Sequence, residues 1–468
     1  MIRLKASVVA ALSVCLVAWL VAGGASAQTT PRAPTSIALG DASLTPVLEL
    51  RLRAEARHDP PDMGGHDRAT GLGSRVRAAV AGLERARLGA QVDVAAVRAR
   101  VVVEDARLWG TAASEGSLGP YETWLEVHSS GAKPALLRVG RQPVVWGEGL
   151  LLGAADFGVR GRALDAVRGI LPAGPLEIEA LASLLAAPRP STPTLGPSGG
   201  VWSSGAQLYG LRVAWPVAPL LALELGGLTR ISRTGEVGSP FETARGLGET
   251  TTVSLRAKGT ESGFGYGAEG AFQFGQADRI GGSRRAWAAF AHVSKAFDAL
   301  RLAPAFRLGA SYASGDDGSG ATYGQFDPLL PDVHVHFGAM NAFAWSNTMQ
   351  AHARAKVEPF AEAELLLEYR YARLAEANGE WLSGNLASVG RDPLAASAEL
   401  GHEVDVLFNY APWPAFDVGA GYALALWGDG ARAILQGAGR GRVDAFAGAY
   451  VPSDTSHYGF LQARLRLP

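Results

Sequence analysis

Val47-Leu48-Glu49-Leu50-Arg51-Leu52-Arg53-Ala54-Glu55-Ala56-Arg57 alternates without a break. Leu48, Leu50, Leu52, Ala54 and Ala56 take one parity, and Glu49, Arg51, Arg53, Glu55 and Arg57 take the other. Successive side chains of a β-strand point to opposite faces, so this segment has one oily wall and one ionised wall. Five charges on one face resist burial in a soluble core. A strand with lipid on one side and water on the other satisfies both faces.

The pattern recurs along the chain. Ala361, Ala363, Leu365, Leu367, Tyr369 and Tyr371 oppose Glu362, Glu364, Glu368 and Arg370. Val404, Val406, Phe408 and Tyr410 oppose Glu403, Asp405, Leu407 and Asn409. Similar zigzags run through 351–358, 253–258 and 461–467. Weaker candidates lie at 75–82, 86–94, 97–107, 122–129, 135–140, 163–170, 175–183, 207–215, 220–228, 264–274, 285–295, 303–313 and 416–427. Clusters such as Gly64-Gly65, Gly199-Gly200 and Asp316-Asp317-Gly318 punctuate them, as expected of an all-β meander. Long connections are expected near 58–72, 184–203, 229–249, 313–345 and 374–399, with short turns between.

A soluble sandwich or propeller also alternates. The dense ionisation of one face weighs against it, as does the size of the chain. So do the aromatics near strand ends (Tyr369, Tyr371, Phe408, Tyr410, Trp427, Tyr458 and Phe460), which suggest an interfacial girdle. In lipid every backbone donor needs a partner, and closing the sheet supplies one. The expectation is an all-β, transmembrane, antiparallel up-and-down barrel of about 18 strands, with a polar lumen and long extracellular loops.

The N-terminus carries Arg3 and Lys5, an apolar run from Ala6 to Ala22, and Ala25-Ser26-Ala27 before Gln28. This is the form of a signal peptide over 1–27. A short leader over 28–44 and a barrel over 45–468 follow. The single cysteine, Cys15, falls inside the signal, so neither disulfides nor cysteine–metal sites are expected in the mature chain. The charge is nearly balanced, 43 Lys and Arg against 44 Asp and Glu, and names no partner by itself. The expected location is the outer membrane of a Gram-negative cell. Its lipid and lipopolysaccharide and the barrel-assembly machinery are the expected partners, with no nucleic acid.

Two segments stand out from the meander. One runs from Val139-Gly140-Arg141-Gln142-Pro143 through Trp146-Gly147-Glu148-Gly149 to Gly161-Arg162-Ala163-Leu164-Asp165-Ala166-Val167-Arg168. The other is Tyr312-Ala313-Ser314-Gly315-Asp316, followed by Phe326-Asp327 and Asn347. A third piece is Leu400-Gly401-His402-Glu403-Val404-Asp405. In this order they resemble the alginate-export family of outer-membrane barrels, across most of the mature chain. The resemblance implies an 18-stranded barrel whose arginine-rich lumen passes an anionic polyuronate. Trp146 and Glu148 depart from the family pattern, where Tyr and Asp are usual, and the last strand ends Leu465-Arg466-Leu467-Pro468 without an aromatic.

Parity places Arg51, Arg53, Arg75, Arg77, Arg98, Arg100, Arg138, Arg212 and Arg256 on the lumen side. The family-like motif adds Arg141, Arg162 and Arg168. A guanidinium matches a carboxylate with two parallel hydrogen bonds, so these are the expected substrate contacts. The bland alternative is that they brace the wall against Glu49, Glu55, Glu104, Asp105, Glu122 and Glu126. Glu49, Asp165, Glu403 and Asp405 are the expected lumen counter-charges. Asp316-Asp317-Gly318 reads as a solvated turn in preference to a calcium loop, and His334 and His336, on one strand face, read as polar loop residues in preference to a metal pair.

No catalytic residue and no cofactor are expected, because no nucleophile elbow, phosphate loop or dinucleotide fingerprint occurs. The expected function is a channel for an anionic polysaccharide. The alternatives are a porin for other solutes, an adhesive or structural surface barrel, and an outer-membrane hydrolase.

Overall fold

The computed structural model describes residues 36–59, 61, 78–109, 117–186, 205–218, 220–232, 248–276, 282–318, 320–392, 394, 397–435 and 454–467. The expected signal peptide, Arg75 and Arg77 lie outside these residues. A short strand, Ile37–Leu39, folds back on the start of the first wall strand.

The wall strands follow in chain order. They are β1 (Ala42–His58), β2 (Ala78–Val94), β3 (Val97–Trp109), β4 (Ser117–His128), β5 (Leu136–Gln142) and β6 (Leu164–Ala173). Next come β7 (Leu176–Ala186), β8 (Ala206–Ala218), β9 (Leu221–Ser232), β10 (Gly248–Glu261), β11 (Phe264–Gln276) and β12 (Ser283–Ala296). The last are β13 (Ala305–Ala313), β14 (Thr348–Val357), β15 (Ala363–Leu374), β16 (Glu399–Trp413), β17 (Phe416–Trp427) and β18 (Thr455–Leu467). Each pairs antiparallel with its sequence neighbours, and β18 returns to β1, from Leu48↔Leu467 to His58↔His457. The result is a closed 18-strand barrel. Among the described residues no helix is long and apolar enough to cross a membrane; the barrel crosses with strands.

One rim uses tight turns, such as Ala95-Ala96, Gly174-Pro175, Ser262-Gly263 and Pro414-Ala415. Ser262 and Gly263 both have positive φ, the backbone that matches the twist of a two-residue hairpin. The other rim carries the long connections, as expected of an outer-membrane barrel. The expected pieces 75–82 and 86–94 are one continuous strand, β2.

The two faces follow the sequence parity. Leu50, Leu52, Leu88, Val101 and Val103 are exposed on the outside, while Arg51, Arg53, Arg85 and Arg87 are buried on the inside. Exposed aromatics sit near strand ends: Trp109 and Trp287 by the long-loop rim, and Trp215, Phe264 and Trp413 by the tight-turn rim; Tyr369 is exposed in mid-strand. Trp427, Tyr458 and Phe460, expected in the girdle, instead point inward. Trp427 and Tyr458 are buried in an apolar cluster with Phe343 and Trp381, against which Phe460 packs. Their parity sets them on the lumen face, and loop residues cover them there.

Candidate functional site: a lumen crossed by two inward loops

Residues 143–163, between β5 and β6, and residues 324–347, between β13 and β14, leave the wall and fold into the barrel. Their partners are inward-facing side chains of distant strands. The Trp146 indole N–H donates to Glu179 on β7 at 2.8 Å. Its ring lies over Gly210 of β8, where an added Cβ would stand 2.5 Å from the indole, so only glycine admits this contact. Glu148 follows at the bend between Gly147 (φ +58°) and Gly149 (φ +81°). Its carboxylate accepts from Arg256 of β10 at 3.0 Å, His292 of β12 at 3.1 Å and Arg307 of β13 at 3.3 Å. Burial pushes the Glu148 carboxyl up, but the hydrogen bonds from His292 and Arg256 outweigh it and hold it well below the usual carboxylate range.

The same loop then crosses to the opposite wall. Asp156 accepts from Arg85 at 3.1 Å and from Arg87 at 3.1 Å, both on β2. The Asp156 carbonyl accepts from Arg51 at 2.7 Å, and Arg51 also bonds the Gly158 carbonyl. Phe157 is sandwiched between the Arg53 guanidinium, 4.0 Å from its centroid, and the His334 ring of the second loop, stacked at 3.3 Å.

The second loop meets the first along its length. The Leu330 amide donates to the Leu151 carbonyl at 3.0 Å, and the Gly153 amide to the Leu330 carbonyl at 2.8 Å. Arg162 donates to the Gly153, Leu330 and Pro331 carbonyls, at 2.9, 2.5 and 3.0 Å. Burial lowers the Arg162 pKa to about 10, still charged at neutral pH. Trp146, Leu152, Phe326, Leu330, Phe337 and Trp345 close an apolar core between loops and wall. Asp327 binds Arg230 of β9, and its carbonyl accepts from Gln273 of β11 at 2.5 Å.

The second loop also holds α1 (Val333–His336), a single helical turn within the expected long connection 313–345. His336 Nε2 lies 2.7 Å from the Glu148 carbonyl. Beyond it, the Ala339 amide donates to Asp405 and the Met340 amide to Glu403, both at 3.0 Å. A Cβ on Gly338 (φ +95°) would stand 2.6 Å from a Glu403 carboxylate oxygen, so only a glycine lets the loop backbone lie this close. Asp316 accepts the Gly318 amide at 2.7 Å and the Gly324 amide at 2.5 Å, as an organiser of its own turn. Among the described residues no group of three or more acids, histidines or cysteines has metal-binding geometry.

Most expected site residues face the lumen, and each is paired. Arg138 binds Glu126 at 2.6 Å, Arg168 binds Glu179 at 2.6 Å, and Arg212 bridges Glu177, Glu179 and Glu224. Glu49 serves as the expected counter-charge, accepting from Arg85 at 2.7 Å. Two departures stand out. Arg141 and Asp165 pair at 3.0 Å on the outward face, with Val139 and Val167, their side chains 36% and 57% exposed. Glu403 and Asp405 hold the backbone of the second loop instead of balancing arginines. Sequence reading missed Glu148, Asp156 and Asp327 as docking groups. The one local sign is a carboxylate beside Gly for Glu148 and beside Pro for Asp327; Asp156, between Ala155 and Phe157, has none.

A closed barrel with an ionised interior, an apolar exterior and loops folded inward defines a porin-like outer-membrane channel. The alginate export family model matches residues 44–438, and the chain belongs to that family. No curated protein matches it. Solved structures share the fold. OccK11 (OpdR) of Pseudomonas aeruginosa is 11% identical, with a TM-score of 0.54 over 91% of this chain and 96% of its own. OccAB2 of Acinetobacter baumannii is 10% identical, with a TM-score of 0.54 over 90% and 98%. The outer membrane protein opdK of P. aeruginosa is 11% identical, with a TM-score of 0.52 over 90% and 98%.

Proposed function

We propose that this channel passes an anionic, carboxylate-bearing oligosaccharide or polysaccharide of the polyuronate class. The observation that carries the reading is the distribution of arginine. Most strands turn at least one guanidinium inward. Arg98, Arg100, Arg138, Arg168, Arg307 and Arg354 keep part of the side chain exposed although each has an acidic partner. A guanidinium with one face paired and another open can make a second, weaker bond. Weak and repeated bonds suit conduction, because a solute held tightly at one place does not leave. A polyuronate carries a carboxylate on every sugar and can step along such a series. The family name points the same way.

The test uses the full-length protein in planar bilayers. Arg98→Gln with Arg138→Gln removes two guanidiniums whose partners, Asp93 and Glu126, are wall residues and not loop residues. We expect the reversal potential in a salt gradient to move toward cation preference, and oligogalacturonate to block ion current several-fold more weakly than in the parent. An unchanged reversal potential and unchanged block would mean that these arginines only brace the wall.

A further inference from the structure

Three acidic residues of the inward loops share one circumstance. Each places its carboxylate against arginine on the lumen face of the wall. Glu148 meets Arg256 and Arg307, with His292 beside them, at 3.0, 3.3 and 3.1 Å. Asp156 meets Arg85 and Arg87 at 3.0 and 3.1 Å. Asp327 meets Arg230, next to Arg284, which donates to the Gln325 carbonyl at 3.0 Å. The seats lie on different parts of the wall: β10, β12 and β13 for the first, β2 for the second, β9 for the third. One loop spans the first two.

From this pattern we propose that these seats are carboxylate-binding sites for the cargo, filled at rest by the chain's own loop carboxylates. Glu148, Asp156 and Asp327 then act as internal stand-ins for a uronate, and the polyanion opens the lumen by replacing them. The inference rests on the polyuronate reading and adds what holds the lumen closed and what releases it.

The chemistry favours exchange over vacancy. A buried guanidinium stripped of its partner loses a charge-assisted hydrogen bond, so a seat does not stand empty. It can change occupants, because an incoming carboxylate restores the same bidentate pairing. A loop carboxylate enjoys the high effective concentration of a tethered ligand. A polymer carrying many carboxylates competes on the same terms once its first group has bound. The wall keeps its own acids in place throughout: Glu49 on Arg85, Glu104 on Arg87 and Glu224 on Arg256.

The seats also rank by access. The Asp156 side chain is 42% exposed, against 23% for Glu148 and 15% for Asp327. Asp156 is therefore displaced first. Its release frees the neighbouring Phe157 from Arg53 and from His334, which is the clasp between the two loops. The more enclosed Glu148 and Asp327 follow. Exposed Arg160, four residues past Asp156, marks the same loop for a protease.

The test has two arms on the full-length protein. In planar bilayers, Glu148→Gln and Asp156→Asn keep the shape of each side chain and remove its charge. Each is expected to raise the open fraction several-fold without any solute. In detergent, oligogalacturonate is expected to speed tryptic cleavage after Arg160 several-fold in the parent protein, while a neutral oligoglucoside leaves the rate unchanged. If oligogalacturonate blocks current yet neither changes cleavage nor finds a larger open fraction in the variants, the stand-in proposal is overturned and the polyuronate reading survives. If it neither blocks current nor shifts the reversal potential in the parent, the polyuronate reading itself fails. Heat-modifiable gel migration reports folding. Should a variant not fold, the cleavage arm on the parent protein still decides.

Discussion

His334 and His336 sit where the two inward loops meet, and both are held neutral. Burial lowers His336 to about 4 and His334 to about 3, with nearby arginines adding to the effect. For His336 those neighbours are Arg354 and Arg307, opposed by the Glu148 carbonyl and carboxylate; for His334 they are Arg53, Arg57 and Arg354, opposed by Asn341. A released loop would return each imidazole to its ordinary value near 6.5. The released state then binds protons more readily than the docked one, so docking is fully stable above about pH 6.5 and weakens as pH falls toward 4. For His336 the full loss is on the order of 3 kcal/mol. The carboxylates of Glu148, Asp156 and Asp327, all held below their usual range, add a further loss only below about pH 4. We expect open-channel noise to rise as a bilayer is titrated from pH 7 to 4.5, and His336→Gln to flatten much of that rise. A variant with the parent's full pH response would show that His336 does not link the proton to the loops. At this scale the sequence was partly legible. Arg51, Arg53, Arg138 and Arg256 face inward because parity alone puts them there. Arg141 and Asp165 were carried by motif, and simple spacing explains the failure. Arg138 and Arg141 are three apart on one strand, as are Asp165 and Arg168, and residues at odd spacing face opposite sides.

The elements divide along the same line. A strand with lipid on one side announces itself by period two, and β1, β14, β15 and β18 are plain in the sequence. The join between 75–82 and 86–94 was not, because Leu83, a large apolar residue, stands on the lumen face of β2 and breaks the alternation there. The inward loops could not be read at all beyond their Gly and Pro. What sends 143–163 into the barrel is Arg256, His292 and Arg307, more than a hundred residues away and on three different strands. Phe157 tests the loop as an element. It stacks on His334, receives Arg53 on its face and meets Phe460 edge-on at 5.5 Å. Such aromatic and cation–π contacts contribute roughly 1–3 kcal/mol together. Phe157→Ala should therefore loosen the loop tip while leaving the strand pairing of the wall intact. The expected outcome is faster tryptic cleavage after Arg160 and larger, noisier current, with heat-modifiable migration unchanged. Cleavage at the parent's rate would place the clasp elsewhere, in the apolar core around Trp146 and Leu330.

Over the whole molecule the two faces of one wall obey opposite rules, and a single pair of substitutions separates them. Leu255 lies midway along β10, points outward with 56% of its surface exposed, and is flanked on the same face by Val253 and Ala257. In water an exposed leucine would tolerate arginine with little cost. In a bilayer, arginine at the midplane of the lipid face costs about 2–4 kcal/mol. The neighbouring Arg256 faces inward and is held by Glu148 and Glu224. We expect Leu255→Arg to lower the reversible unfolding free energy in lipid vesicles by that amount while leaving ion selectivity unchanged. Arg256→Leu should instead alter current and loop docking, because it leaves two acids beside an apolar group inside the lumen. The contrast depends on which medium meets each face, not on the chemistry of leucine or arginine. If Leu255→Arg is as stable as the parent in vesicles, the outward face does not meet hydrocarbon at that depth. The closed wall would then need a different surrounding to explain why so many of its exposed positions are apolar.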